Sequence, residues 1–300
     1  MGYLLVFILL LTPKTLFAQE YFSINVDNDL FFLTDHYYSS GIFLQYGKQL
    51  KGNDSLAKKY VLWELAQEIY TPNDNFTADS KSFDYPYGGW SYFKLTFQRE
   101  QTEQKQTQWG LQLGITGAAS GAEWMQNNYH HYVLGIPESI WTDEVPEAFH
   151  LNFFTDSFNQ WLYSDKVSLQ SHIFTIIGTQ KIAAGGAIGF SLGKQSVLNK
   201  GGNILLDSQN GNGLYFGLRM NFTAHDYMIS GSLFNTKARF TVPVNRLRAK
   251  IEAGYAIHKN DWRISVMYNM QSPDNKTQPQ EVHHYLNITL SSFLGSLIAK

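Results

Sequence analysis

Runs of about ten residues in which apolar and polar side chains alternate recur along most of this chain. A period of two sends successive side chains to opposite faces of an extended strand. From Tyr21 to Asn28, Phe22, Ile24 and Val26 share one face, while Ser23, Asn25 and Asp27 share the other. Gly41–Gln49 repeats the pattern, with Ile42, Leu44 and Tyr46 against Gly41, Gln45 and Gly47. Further runs lie at Lys59–Tyr70, Gly89–Glu100, Gln106–Gly117, Ala148–Tyr163, Ser168–Lys181 and Gly185–Lys194, then at Gly213–Thr223, Val244–His258, Trp262–Gln271 and His283–Phe293. That makes twelve strands, an even number, in a chain with 18 Tyr, 21 Phe, 7 Trp and 24 Gly. The pattern predicts an all-β fold: a twelve-stranded antiparallel transmembrane β-barrel of the bacterial outer membrane, with aromatic girdles and small residues inside. A soluble sandwich or lipocalin-like barrel also alternates. The long strands and the aromatic load favour the membrane form.

Composition narrows the function. A formal charge of −2 with 16% charged residues lacks the basic excess of a nucleic-acid binder. With 44% hydrophobic residues the 300-residue chain can bury a core, so disorder is excluded. The apolar run Tyr3–Leu11 is too short to span a bilayer as a helix. Followed by Pro13-Lys14 and Leu16-Phe17-Ala18, it reads as a signal peptide over residues 1–18, leaving 19–300 as one barrel domain. No cysteine is present. Disulfide scaffolds, thiolate metal sites and cysteine nucleophiles are thereby removed together.

A periplasmic N-terminus would put the connections after odd strands outside the cell. These are Leu30–Tyr37, Thr71–Gly88, Ala118–Glu147, a tight Ile182–Ala184, Ala224–Pro243 and Ser272–Val282. The opposite end should carry short turns such as Lys259-Asn260-Asp261, with Gln195–Asn212 as a long exception. In the loop after strand five, Ala122–Ile136 predicts a short external helix. Met125, Tyr129, Tyr132, Val133 and Ile136 form one apolar stripe, and Glu123, Gln126 and His130 lie beside it. Gly135-Ile-Pro137 ends the helix.

Parity also brings Asn28-Asp29, at the end of strand one, to the same rim as Tyr38-Ser39-Ser40-Gly41 and His130. Amide and carboxylate oxygens are hard ligands suited to calcium, and a histidine of ordinary pKa can deprotonate water. The same residues also suit a plain turn and a surface helix. Two further motifs read as strand residues. Gly189-Phe-Ser191-Leu-Gly193 matches a nucleophile elbow but sits inside a strand rather than at a strand–turn–helix junction. His283-His284 opens the last strand, where neighbouring side chains diverge.

Four blocks carry a family resemblance. Asn25-Val-Asp-Asn28-Asp29 with Tyr38-Ser39-Ser40-Gly41-Ile42-Phe43-Leu44 resembles the first hairpin of the outer-membrane lipid A 3′-O-deacylases. Ala66-Gln67-Glu68-Ile69-Tyr70-Thr71-Pro72, Pro86-Tyr87-Gly88-Gly89-Trp90 and Gln126-Asn127-x-x-His130 are similar to later motifs, in family order over roughly residues 20–145. The resemblance implies a calcium-dependent barrel that removes a 3′-linked acyloxyacyl chain from lipid A in the outer leaflet. Asn28 and Asp29 would then belong to the calcium site, Ser39 would be the catalytic hydroxyl and His130 the general base. His131 competes for the base by its distance to Gly135. Thr71–Gly88 holds one cation, Lys81, and Tyr85 stands where the pattern has arginine, which bears on head-group specificity. The implied partners are lipopolysaccharide and outer-membrane lipids, acted on by a monomer. A barrel phospholipase and a passive pore or surface-binding barrel are the rival readings.

Overall fold

Alternation decides the architecture, because a strand with one apolar and one polar face can satisfy both only where one face meets lipid and the other an enclosed interior. The computed structural model describes residues 19–50, 57–102, 104–164, 166–193, 205 and 210–294. The expected signal peptide and nearly all of Gln195–Asn212 lie outside the described residues.

Twelve antiparallel strands close into one barrel. They are β1 (Glu20–Asn28), β2 (Tyr37–Leu50), β3 (Lys58–Thr71), β4 (Gly88–Thr102), β5 (Lys105–Thr116) and β6 (Ala148–Ser164), followed by β7 (Val167–Gly178), β8 (Lys181–Gly193), β9 (Gly211–Asp226), β10 (Leu247–Lys259), β11 (Trp262–Gln271) and β12 (His283–Phe293). Every strand pairs with its sequence neighbours, and β1 pairs with β12 from Tyr21↔Phe293 to Asn28↔Leu286 to close the seam. No edge is left unpaired, as a bilayer demands.

Burial is inverted relative to a soluble protein. Leu214, Phe216, Leu218, Met220 and Phe222 of β9 are all exposed on the outer wall, as are Ile188, Phe190 and Leu192 of β8. The interior is polar and paired. Arg248 Nη1 lies 3.0 Å from Asp226 and 3.1 Å from Asp274, and Lys250 lies 2.8 Å from Glu252. Small residues make room for inward aromatics: a Cβ on Gly189 would stand 2.2 Å from the Tyr215 ring, which accounts for the first glycine of the elbow-like motif, while Gly193 has a φ of 115° and lies against the Asn212 carbonyl. Ser191, its would-be nucleophile, is buried inside β8.

Sequence and structure differ in detail at one end. The β7–β8 turn falls at Thr179-Gln180 rather than Ile182–Ala184, and β10 starts at Leu247 rather than Val244. Val244 instead makes a lone bridge to Asn275. Loops pack over this end, and a short helix, α2 (Tyr227–Ser230), buries Tyr227, Met228 and Ile229 there. Before it in the chain comes α1 (Ala122–Tyr129), continued by a π-turn at His130–Leu134 and stopped by Gly135 in the left-handed conformation.

Candidate active site

Part of each stripe of α1 faces the protein: Gln126 and His130 of the polar one are buried while Glu123 is exposed, and Met125 and Tyr129 of the apolar one turn to the pocket described below. Tyr132, Val133 and Ile136 are exposed. An amphipathic helix on a soluble protein would bury the apolar stripe. Here the outer wall of the barrel is apolar, so the exposed part of that stripe continues that surface.

Between α1 and the outer wall lies a cavity of about 420 Å³. Val26 and Asn28 of β1, Ser40 and Ile42 of β2 and Ile288 of β12 form its wall. Leu30 and Phe31 flank it, and Met125, Gln126, Tyr129, His130 and Leu134 close it from the helix side. The pocket opens on the face of the barrel that meets lipid, not on the lumen.

Asp35 organises its polar end. The carboxylate accepts from His130 Nε2 at 3.0 Å, from Asn75 Nδ2 at 2.7 Å and from Gln126 Nε2 at 3.1 and 3.2 Å. Trp141 Nε1 donates to Gln126 Oε1 at 2.8 Å, which fixes the direction of that amide. His130 is 1% exposed, and its Nδ1 lies 3.2 Å from the Pro137 carbonyl. Both ring nitrogens thus face acceptors, an arrangement that suits the doubly protonated ring. Burial opposes that charge, but the hydrogen bond and charge of Asp35, with the Pro137 carbonyl, outweigh it and raise the His130 pKa above its ordinary value.

The expected residues are only partly gathered. Asn28 lines the pocket, with Oδ1 accepting from Leu30 N at 2.8 Å. Ser39 does not line it. An irregularity between Tyr38 and Ser40 in the β2–β3 register makes Ser39 an extra residue, and its Oγ turns to the Ile69 carbonyl at 3.4 Å. Ser40, opposite Asn28 across β1 and β2, supplies the pocket hydroxyl instead. His131 is exposed and edge-on to Tyr132, away from Asp35. Asp29 is fully buried and is not a pocket residue; its Oδ2 accepts from His36 N at 3.1 Å.

Of the pair implied for calcium, only Asn28 therefore offers its side chain to the pocket, together with Ser40. Both are oxygen donors, the class calcium takes, and the set fits the ion to that extent. The Asp29 carboxylate does not line the pocket. Asp35, Asn75 and Trp141 went unnoticed in the sequence because Asp35 and Asn75 sit in irregular loops and Trp141 follows the end of the helix. The one available signal was Asp35-His36, a titratable pair beside a strand start.

A sequence model of the family described as outer membrane protein LpxR matches residues 4–294. LpxR from Salmonella typhimurium superposes with a TM-score of 0.76 at 17% identity, covering 91% of this chain and 99% of that one. The β domain of the Bordetella autotransporter BrkA (TM-score 0.46, 8% identity, 92% of this chain and 97% of that one) and the NalP translocator domain of Neisseria meningitidis (0.47, 9%, 94% and 89%) are more distant. No curated protein matches the sequence. A family match over nearly the whole chain, on a closed twelve-stranded barrel with an apolar outer wall, makes this chain a member of the LpxR family of bacterial outer-membrane proteins.

Proposed function

We propose that the protein is a lipid A deacylase that hydrolyses a 3′-linked acyl ester in the outer leaflet. The observation that carries this reading is the His130–Asp35 pair at the polar end of an apolar pocket that opens on the lipid-facing wall. Acyl chains already in the bilayer reach such a pocket sideways, against Val26, Ile42 and Ile288, without crossing the lumen.

His130 in its neutral form takes the proton from water. The imidazolium formed in that step is held by Asp35 on one side and by the Pro137 carbonyl on the other. Water attacks the ester carbonyl directly and the acyl C–O bond then breaks, with the imidazolium giving its proton to the departing sugar alkoxide, so no acyl-enzyme forms. Asn28 and Ser40 would hold calcium, which, when bound, polarises the ester carbonyl and stabilises the oxyanion. Gln126, fixed by Trp141, keeps the Asp35 carboxylate facing the ring.

Mass spectrometry of lipid A from cells with and without the protein tests the assignment. Loss of one 3′-linked acyl group is expected, together with a calcium requirement that chelation reveals. His130→Ala should cost roughly a hundredfold or more in turnover, the usual share of a general base. Ser40→Ala should impair the enzyme more than Ser39→Ala. Unchanged lipid A with release of fatty acid from glycerophospholipids would assign the pocket to a phospholipase instead.

A further inference from the structure

Behind the pocket wall, three buried side chains from three chain segments converge. Asp29 follows β1, His36 precedes β2, and His283 opens β12. They are 0%, 5% and 2% exposed, and each offers one ligand atom within 4.8 Å of the other two. All three carry a buried polar atom with no hydrogen-bond partner: Asp29 Oδ1, His36 Nε2 and His283 Nδ1. An unsatisfied buried polar atom costs about 1–3 kcal/mol, and one such atom can be tolerated. Three in one such cluster of residues call for a common partner.

The protonation pattern identifies that partner's charge. His283 Nε2 lies 3.0 Å from the Tyr38 carbonyl, which can only accept, so Nε2 carries the proton and Nδ1 presents a lone pair. The other oxygen of Asp29 is already bound to His36 N, leaving Oδ1 free. Tyr37 packs edge-on against both imidazoles, with ring centroids 4.4 Å from His36 and 5.8 Å from His283, and keeps the cluster dry.

We propose that Asp29, His36 and His283 form a binding site for a zinc-class divalent cation, distinct from the calcium expected at the lipid pocket. Two imidazoles and a carboxylate are the donor set of zinc and its transition-metal neighbours, whereas calcium takes six to eight oxygens. Ligands of one tetrahedral zinc stand roughly 3.3 Å apart given bond lengths near 2.0–2.1 Å, so small side-chain rotations complete the set. The His283 bond to the Tyr38 carbonyl is the outer-shell contact that usually orients a metal-bound imidazole. The cation would staple β1 to β12 at the barrel's closing seam. It would also pin the Asp29–His36 segment, and with it Asp35.

The test needs no lipid substrate. The full-length protein, purified in detergent and stripped with a chelator, is dialysed against zinc or cobalt(II), and bound metal is counted per barrel. One tightly held ion is expected, with a cobalt visible spectrum typical of nitrogen and oxygen ligands and a raised unfolding temperature. His36→Ala and His283→Ala, each checked for heat-modifiable gel migration as folded barrels, should bind at least about tenfold more weakly. Asp29→Asn should do the same. If neither variant folds, His36→Gln serves, since it removes the imidazole while keeping size and polarity. The proposal is overturned if wild type holds no more zinc or cobalt than the folded histidine variants. It is equally overturned if calcium, and not zinc, is the ion whose binding depends on His36 and His283. Neither result touches the hydrolase assignment, which rests on His130 and Asp35.

Discussion

At the scale of single residues, Asp35 ties the polar end of the pocket together. Its carboxylate collects hydrogen bonds from Asn75 in the loop after β3 and from Gln126 and His130 on α1 and its π-turn. The His130 pKa is raised, so the neutral base form appears only as pH climbs through that raised value. Activity is therefore expected to rise with pH along an acid limb set by His130. Asp35→Asn removes the negative partner: the limb should move to lower pH, and the plateau should fall roughly tenfold to a hundredfold, the equivalent of a charge-assisted hydrogen bond. A pH–rate profile of the two proteins checks this. An unmoved limb would mean that His130 is not the titrating base. The linked stability has the same origin. The His130 contribution is fully present below its unfolded pKa and is lost as pH rises through the folded one.

The helix with its π-turn is the element that makes the pocket. Eight residues of α-helix and one π-turn carry Gln126 and His130 to the wall side. A π-turn shifts the following residues around the axis, a local feature often found at functional sites. Gly135 then reverses the chain at φ 65° so that the Pro137 carbonyl comes back to His130 Nδ1. A Cβ at Gly135 would meet nothing within 4 Å, so Gly135→Ala carries only the conformational cost of the left-handed region, roughly 1 kcal/mol. The expected result is a near-normal unfolding temperature, an unchanged KM and a severalfold lower kcat, because substrate contacts stay while the Pro137 acceptor shifts. Equal loss in kcat and stability would make the turn merely structural.

The whole molecule puts long loops and the pocket at one end and tight turns such as Lys259–Trp262 at the other. Lipid A hydrolysis in the outer leaflet requires the loop end to face outward. A cysteine at Asn73, which is exposed there, should react on intact cells with a reagent that cannot cross the membrane. One at Asn260, in the tight turn, should react only after the membrane is opened. Asn127 is a poorer probe, since it exchanges hydrogen bonds with the Ser139 backbone in both directions. With no native cysteine, the readout is clean. Labelling at Asn260 alone would invert the topology and remove the outer-leaflet chemistry.

Much of the barrel was legible in the chain because strand alternation is a local property. Each of the twelve expected runs overlaps an observed strand, as β11 at Trp262–Gln271 and β12 at His283–Phe293 show. The external helix was legible too, and so was His130 on its polar stripe. The direction of that helix was not, because whether a stripe faces in or out depends on what the neighbouring surface is made of. Ser39 against Ser40 was decided by a single extra residue in β2, which reverses the alternation locally without a mark in the sequence. Asp35 meets His130 across 95 residues, and Asp29 meets His283 across the closing seam, contacts that exist only once the sheet has closed on itself. The sequence by itself determined the strand faces and the number of strands. The partners of each ionisable group were chosen by barrel closure, which brings together residues that no local pattern relates.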